Sequence, residues 1–248
     1  KFIRGHETDY WKMHDDSPVP KWVEKMSEFR ASEHMNQYYA NVKDFKGEED
    51  YFPAKVFLSA NDWLDENAKN GKFFLHIESF DVHEPFHVPE PYASMYTDKN
   101  RNDFNVWPPY QIYDDLKAFM DQTTPEELDY LESQYFGKTT MVDKWFGELT
   151  KKLDELSLWD DTIVIFTSDH GHDLGKRGVF GKQYPHYDSH ANIPLLVWHP
   201  KYPGNGLRVE SLTQNVDIFA SLIEASGVDI PEQNRHSKSF IPIIKQPK

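Results

Sequence analysis

The sequence predicts an α/β fold, a mixed and mostly parallel sheet flanked by helices. Two observations carry this. A helical pattern over 55–69 leads into an apolar stretch over 72–80, and the same order recurs at 125–156 and 161–167. Helix and strand in alternation imply parallel strands joined by crossover helices. The apolar stretches are also short and rich in β-branched or aromatic residues, as strands buried between helices are. With 248 residues, 38% hydrophobic and 15% aromatic, the chain can build the core of one large domain.

Residues 1–50 are aromatic, polar and weakly periodic, which predicts long loops with a helix within 21–39 and a turn or extended loop at Ser17–Trp22. Val56, Ala60, Trp63, Leu64 and Asn67 share one helical face, and Asn70-Gly71 ends that helix. "KFFLHIESF" (72–80) reads as a buried strand, with His76 a core or interface histidine. The prolines of "DVHEPFHVPEPY" (81–92) then forbid regular structure. Residues 93–122 read as loop and short helix. The long insertions 1–54 and 81–123 are therefore expected to be loop-rich.

"TTPEEL" is a strong helix start. Thr124 caps, Pro125 takes the first helical position and Glu127 completes a capping box. An apolar stripe from Leu128 through Leu131, Tyr135, Val142, Trp145, Leu149 and Leu153 continues this helix to Leu156. A strand follows at 161–167 and another at 193–200. A helix over 215–227 has Asp217 as its expected cap, Ile218, Phe219, Leu222 and Ile223 as its apolar face, and Gly227 as its stop. "SFIPIIK" (239–245) reads as a packed extended segment. No internal domain boundary is evident.

Charge and composition narrow the function. Lys plus Arg number 27 against 41 Asp plus Glu, a net charge of -14. That argues against a broad nucleic-acid surface or anionic-membrane surface, while leaving room for a local basic pocket. There are no cysteines, so disulfides, thiolate metal sites and an unmodified cysteine nucleophile are excluded within these residues. No apolar run approaches the ~20 residues of a membrane span.

Chemistry concentrates where strands end. "TSDHGHDLG" places Asp169 and His170 behind the strand 161–167, the end at which open α/β sheets bind ligands. A carboxylate beside an imidazole suits a divalent cation, Ca, Mg or Mn, with Zn also open. His172 is a candidate for orienting that site, and Asp173 reads as a turn residue. "GKRGVFGKQYPHY" (175–187) follows. Its glycine-flanked Lys182 can reach a tetrahedral oxyanion, and the same loop carries Arg177 and His186, with His190 just beyond. Asp81, His83 and Glu84 follow the strand 72–80, and His83 can donate to an anionic substrate or its leaving group. No GxSxG, Walker or GxGxxG motif is present, so no nucleophile is identifiable.

These segments together resemble the type I sulfatases, a branch of the alkaline phosphatase superfamily. The resemblance rests on "FFLHIESFDVHEPF", "LSLWDDTIVIFTSDHGHDLG", "VFGKQYPHYDSHANIPLLVWHP", "LTQNVDIFASLIEASGVDIPE" and "HSKSFIPIIK", in the family's order over 55–245. It implies that Asp169 and His170 are metal ligands. It implies that Lys182 binds the sulfate and the leaving oxygen, and that His83 contacts the same groups. His170 stands where many sulfatases have asparagine; histidine occurs there in other sulfatases and in related phosphonate and phosphodiester hydrolases. Arg177 departs from the histidine frequent in that loop. His172, His186, His190 and Asp81 remain candidates for orienting ligands or contacting substrate.

The resemblance further implies two upstream acidic ligands and a Cys- or Ser-x-Pro-x-Arg motif whose first residue becomes formylglycine. Neither occurs here. The expectation is therefore a central-to-late part of the catalytic domain, lacking also a small C-terminal subdomain. It would be partnered by the remainder of the enzyme or a second chain, and deficient as a catalyst alone. The expected reaction is metal-assisted hydrolysis of a sulfate ester by a formylglycine outside these residues, on a sulfated small molecule or carbohydrate. Aromatic loops at 1–50 and 101–113 suit a sugar or pack against other protein. Phosphonate or phosphate diester hydrolysis and a non-catalytic binding module are the alternatives.

Overall fold

The computed structural model describes residues 3–5, 20–26, 32–108, 113–182, 186–202, 206–228 and 236–245. The expected turn at 17–19, the middle of the helix expected within 21–39, and the 109–112 part of the aromatic loop lie outside them. The chain divides into two compact units, 1–156 with 172–190 and 157–171 with 191–248.

In the first unit, β1 (Ile3–Gly5) precedes α1 (Lys21–Met26), α2 (Ser32–Val42) and α3 (Phe52–Asn67). The α3 helix starts with Pro53 in its first turn and buries Val56, Phe57, Ala60, Trp63 and Leu64. The 72–80 strand is shorter than expected. Among the described residues, β2 (Ile77–Ser79) is the part that pairs, in parallel with β1 over three residues. Phe74 and His76 are exposed. Residues 81–100 are irregular, as the prolines require, and a short 3₁₀ turn follows at Arg101–Asp103. Trp107, Phe104 and Val106 of the aromatic loop pack inward with Val23, Tyr130, Trp22 and Tyr39. Val23, Val106 and Tyr130 are buried there, and Trp22, Tyr39, Phe104 and Trp107 are partly buried against them.

Helix α4 (Tyr113–Gln122) leads into the long α5 (Pro125–Glu155). The expected capping box is present: Glu127 N donates to Thr124 Oγ1 at 3.2 Å, and Thr124 N donates to Glu127 Oε2 at 2.7 Å. Gly137 permits a close approach, since a Cβ there would collide with the Tyr92 carbonyl. The hairpin β4 (Asp173–Leu174) and β5 (Phe180–Gly181) is antiparallel and is followed by α6 (Asp188–Ala191). Phe86, Leu116, Phe119, Leu131 and Phe180 form one core, which ties the 81–92 loop, α4, α5 and this hairpin together.

In the second unit, β3 (Val164–Thr167) pairs with β6 (Leu195–Trp198). The expected parallel arrangement does not hold for this pair, which is antiparallel. A parallel pair needs a crossover that returns the chain to its starting end. The connection from β3 to β6 contains a hairpin and a single helical turn instead. Helix α7 (Asn215–Ser226) is capped by Gln214. Asp217 is its third residue and accepts from Gln214 N at 2.9 Å, so it closes the box from inside rather than capping as expected. Gly227 ends the helix at φ 66, a conformation that disfavours a Cβ. Phe219 is exposed, so the expected apolar face is only partly covered. Residues 241–245 form α8 (Ile241–Lys245) rather than an extended segment. Phe240 N donates to Ser221 Oγ at 2.9 Å, which fixes the entry to the helix, and both Phe240 and Ile241 are buried.

Candidate functional site

The first unit brings His83 and Lys182 together. Lys182 follows Gly181, whose φ of +90 turns the chain at the end of the hairpin. Its Nζ lies 2.7 Å from His83 Nε2. His83 Nδ1 faces its neighbour's carbonyl, Glu84 O, at 2.8 Å and the Glu84 carboxylate, Oε2, at 3.4 Å. Both are acceptors, so Nδ1 carries the proton and Nε2 offers its lone pair to the lysine. Burial pushes the His83 pKa down against the pull of Glu84, and Lys182 and Lys138 add to the depression. The imidazole is accordingly neutral near pH 7.

Glu84 is only 4% exposed and stays ionised. Burial would raise its pKa, but His172 and His83 outweigh that and hold it at about 2. Glu84 Oε2 and His172 Nε2 are 3.4 Å apart, and neither makes an aligned hydrogen bond among the described residues. The two atoms face each other beyond hydrogen-bond length. The His172 side chain is buried among Phe86, Tyr135 and Phe180, with Nδ1 donating to Asp173 O at 2.9 Å. Asp173 is no turn residue. It sits buried in β4 and accepts a short hydrogen bond from Ser189 Oγ.

Asp81 is buried and ion-paired with Lys138 of α5. The same ammonium donates to His83 O at 2.8 Å and Pro85 O at 2.9 Å. Three acceptors from five consecutive residues thus converge on one buried cation. The sequence reading missed this lysine. Its signal is a charge on the buried stripe formed by Gln134, Met141, Trp145 and Leu149. Arg177 lies in the exposed hairpin loop; Nη1 donates to Ser189 Oγ at 3.2 Å and the guanidinium sits 4.7 Å over the Tyr187 ring. His186 and His190 meet each other, Nδ1 to Nδ1, at 2.6 Å.

In the second unit, Asp169 and His170 follow β3 as expected. His170 Nδ1 donates to Gly171 O at 2.8 Å, which leaves Nε2 as the nitrogen with a lone pair. Nε2 lies 3.4 Å from Asp169 Oδ2, and the Asp169 side chain is 83% exposed. An imidazole anchored through one nitrogen and a carboxylate turned to the same side fit a divalent cation. Asn215 Nδ2, at the start of α7, supports the turn by donating to Asp169 O at 2.9 Å. Among the described residues no group of three or more His, Asp or Glu side chains converges, so two donors are what this stretch offers. No described helix is long and apolar enough to cross a membrane.

Comparison with known proteins places these elements. The chain is 29% identical over 253 residues to an ulvan-active sulfatase of Formosa agariphila, covering 96% of this chain and 42% of that protein. It is 27% identical to the multifunctional alkaline phosphatase superfamily protein PehA of Trinickia caryophylli, over 73% of this chain and 39% of that one. The crystal structure of the phosphonate monoester hydrolase of Agrobacterium radiobacter matches with a TM-score of 0.70 and 22% identity, covering 95% of this chain and 51% of that one. The fold is thus the α/β fold of the alkaline phosphatase superfamily, although its described strands are short. The chain spans about two fifths of the length of the curated relatives it matches. Residues 2–228 match the sulfatase family, and the chain belongs to it.

Proposed function

We propose that the protein contributes to a sulfuric ester hydrolase that cleaves a sulfate ester, with a sulfated carbohydrate as the leading substrate class. Membership of the sulfatase family supports a hydrolase acting on a sulfate or related ester. The observation that carries the finer reading is the contact between Lys182 Nζ and His83 Nε2 at 2.7 Å. An ammonium and an imidazole in contact form a cationic, proton-bearing site, the kind that binds a sulfate oxygen and protonates a departing alkoxide. Lys182 holds the sulfate group by charge. Its proton, shared with His83 Nε2, goes to the leaving oxygen as the S–O bond breaks and that oxygen takes the electron pair.

Asp169 and His170 would hold a divalent cation, Ca by preference, together with acidic ligands outside these residues. Such an ion supplies charge neutralisation on the sulfate oxygens. The nucleophile, a formylglycine, is expected in another segment of the enzyme. The test is to assay the intact protein against sulfated saccharides, an aryl sulfate and an aryl phosphonate, and to repeat it with His83→Ala and Lys182→Ala. Sulfate release that both substitutions suppress supports the reading; release indifferent to both rejects it.

A second reading, hydrolysis of phosphonate or phosphate diesters, is compatible with one residue. His170 stands where many sulfatases have asparagine, and histidine occurs there in other sulfatases as well as in related phosphonate and phosphodiester hydrolases. The aryl phosphonate arm of the same assay separates the two.

A further inference from the structure

The loop after β2 places a fully charged carboxylate where no motif asks for one. Glu84 is buried, its backbone carbonyl takes the His83 Nδ1 proton, and its carboxylate lies 3.4 Å from the same nitrogen. Among the described residues, Lys182 and Lys138 set positive charge against His83. Lys182 reaches Nε2 from the hairpin, and Lys138 takes the His83 carbonyl from α5 while its own charge is met by Asp81. The Phe80 ring stacks on the imidazole at 4.3 Å and contributes no charge. His172 Nε2 lies 3.4 Å from the Glu84 carboxylate. An imidazole between two ammonium groups and a stacked ring resists a second proton unless an anion balances it.

We propose that Glu84 is the positioning residue of the His83–Lys182 pair: its backbone carbonyl accepts from His83 Nδ1, and its buried carboxylate supplies the negative charge against which Nε2 can take up a proton. This rests on the reading of His83 and Lys182 as the site's proton-bearing pair. The carboxylate touches neither substrate nor leaving group. It acts by stabilising the imidazolium that forms when the lysine proton is shared, while the Glu84 carbonyl fixes which nitrogen of His83 faces Lys182. The arrangement follows the logic by which a buried carboxylate orients a catalytic histidine in hydrolases, with a lysine in place of a hydroxyl nucleophile.

The test is a pH titration of the full chain carrying ¹⁵N-labelled histidine, with the His83 signals assigned by their loss in His83→Asn. In the wild-type protein at neutral pH, His83 should show the pattern protonated at Nδ1. In Glu84→Gln, which keeps the side-chain volume, the His83 midpoint should fall by about one pH unit or more, a tenfold or greater loss in proton affinity. Glu84→Asp should recover part of that shift. A wild-type His83 protonated at Nε2 overturns the proposal without need of any variant, so it stays decidable if Glu84→Gln fails to fold. An unchanged His83 midpoint in folded Glu84→Gln overturns it as well. The two readings fail separately. Full turnover in His83→Ala would remove the catalytic assignment, while the titration reports on Glu84 and His83 whatever the reaction is.

Discussion

Lys138, in the middle of α5, donates to the carbonyl of His83, 55 residues away in sequence, at 2.8 Å. It also bonds Pro85 O and pairs with Asp81. A single buried ammonium therefore fixes both ends of the segment that presents His83. Removing it leaves the Asp81 carboxylate buried without a counter-charge, a change that costs about 3–5 kcal/mol. Lys138→Met should lower the urea midpoint accordingly, and adding Asp81→Asn should restore much of it. Equal midpoints for wild type and Lys138→Met would show that the ammonium does not hold this loop.

Lys182 should matter most for substrates that leave reluctantly. Lys182→Ala removes a cation placed where charge develops, worth ~10²-fold or more in turnover. Its cost should be larger on an alkyl or sugar sulfate than on a nitrophenyl sulfate, whose leaving oxygen needs little protonation. His83→Ala should follow the same order with a loss of ~10²–10⁴-fold. Turnover of both substrates at the wild-type rate in Lys182→Ala would rule out its proposed role.

Asp169 should control metal affinity. Its side chain is exposed beside His170 Nε2: Oδ1 accepts from His170 N at 2.8 Å, and Oδ2 lies 3.4 Å from Nε2. Asp169→Ala in the intact protein should weaken Ca binding by more than the ~10–100-fold typical of groups that merely support a ligand. Asn215→Ala, which removes the bond to Asp169 O, should fall within that supporting range. Calorimetry giving the same Ca affinity for wild type and Asp169→Ala would reject the assignment.

Local signals were the most readable. The Thr124–Glu127 box, the prolines after residue 80, the Gly227 stop and the strand-end position of Asp169 all depend on neighbours a few residues apart. What failed depends on distant pairing. Among the described residues the 72–80 run pairs with β1 over three positions and β3 meets β6 antiparallel, and both pairings join segments far apart in sequence. Asp217 was misplaced by one helical turn because a carboxylate at the third position and one at the cap bond to similar amides. The His83–Lys182 contact joins residues 99 apart, and the family resemblance, not their spacing, suggested it. Lys138 escapes notice, and Glu84 draws no role beyond its strand-end place, because a lone charge in sequence reads as solvated. Only packing shows that both are buried.

Histidine burial should make the fold acid-sensitive well above the range where carboxylates protonate. His87 is stacked on Trp22 at 4.5 Å, bonded to Tyr38 OH through Nδ1 at 3.1 Å, and buried. Burial, with Arg101 and Lys138 adding to it, holds its pKa well below the usual histidine value. The unfolded chain takes up a proton near pH 6.5 while the folded chain does not, so protonation favours unfolding. The stability is complete above about pH 6.5 and declines as pH falls below it, by up to ~1.4 kcal/mol per pH unit for one such group. His83, depressed in the same direction, adds to that slope. Glu84, held at about 2, acts in a lower window, losing its contribution only as pH falls from about 4.5 toward 2. Urea unfolding between pH 7 and 5 therefore isolates the histidines. His87→Phe keeps a flat ring against Trp22 and should reduce the slope in that window, at some cost in stability at pH 7 from the lost Tyr38 bond. A slope in His87→Phe as steep as in the wild type would show that His87 does not set the acid limit.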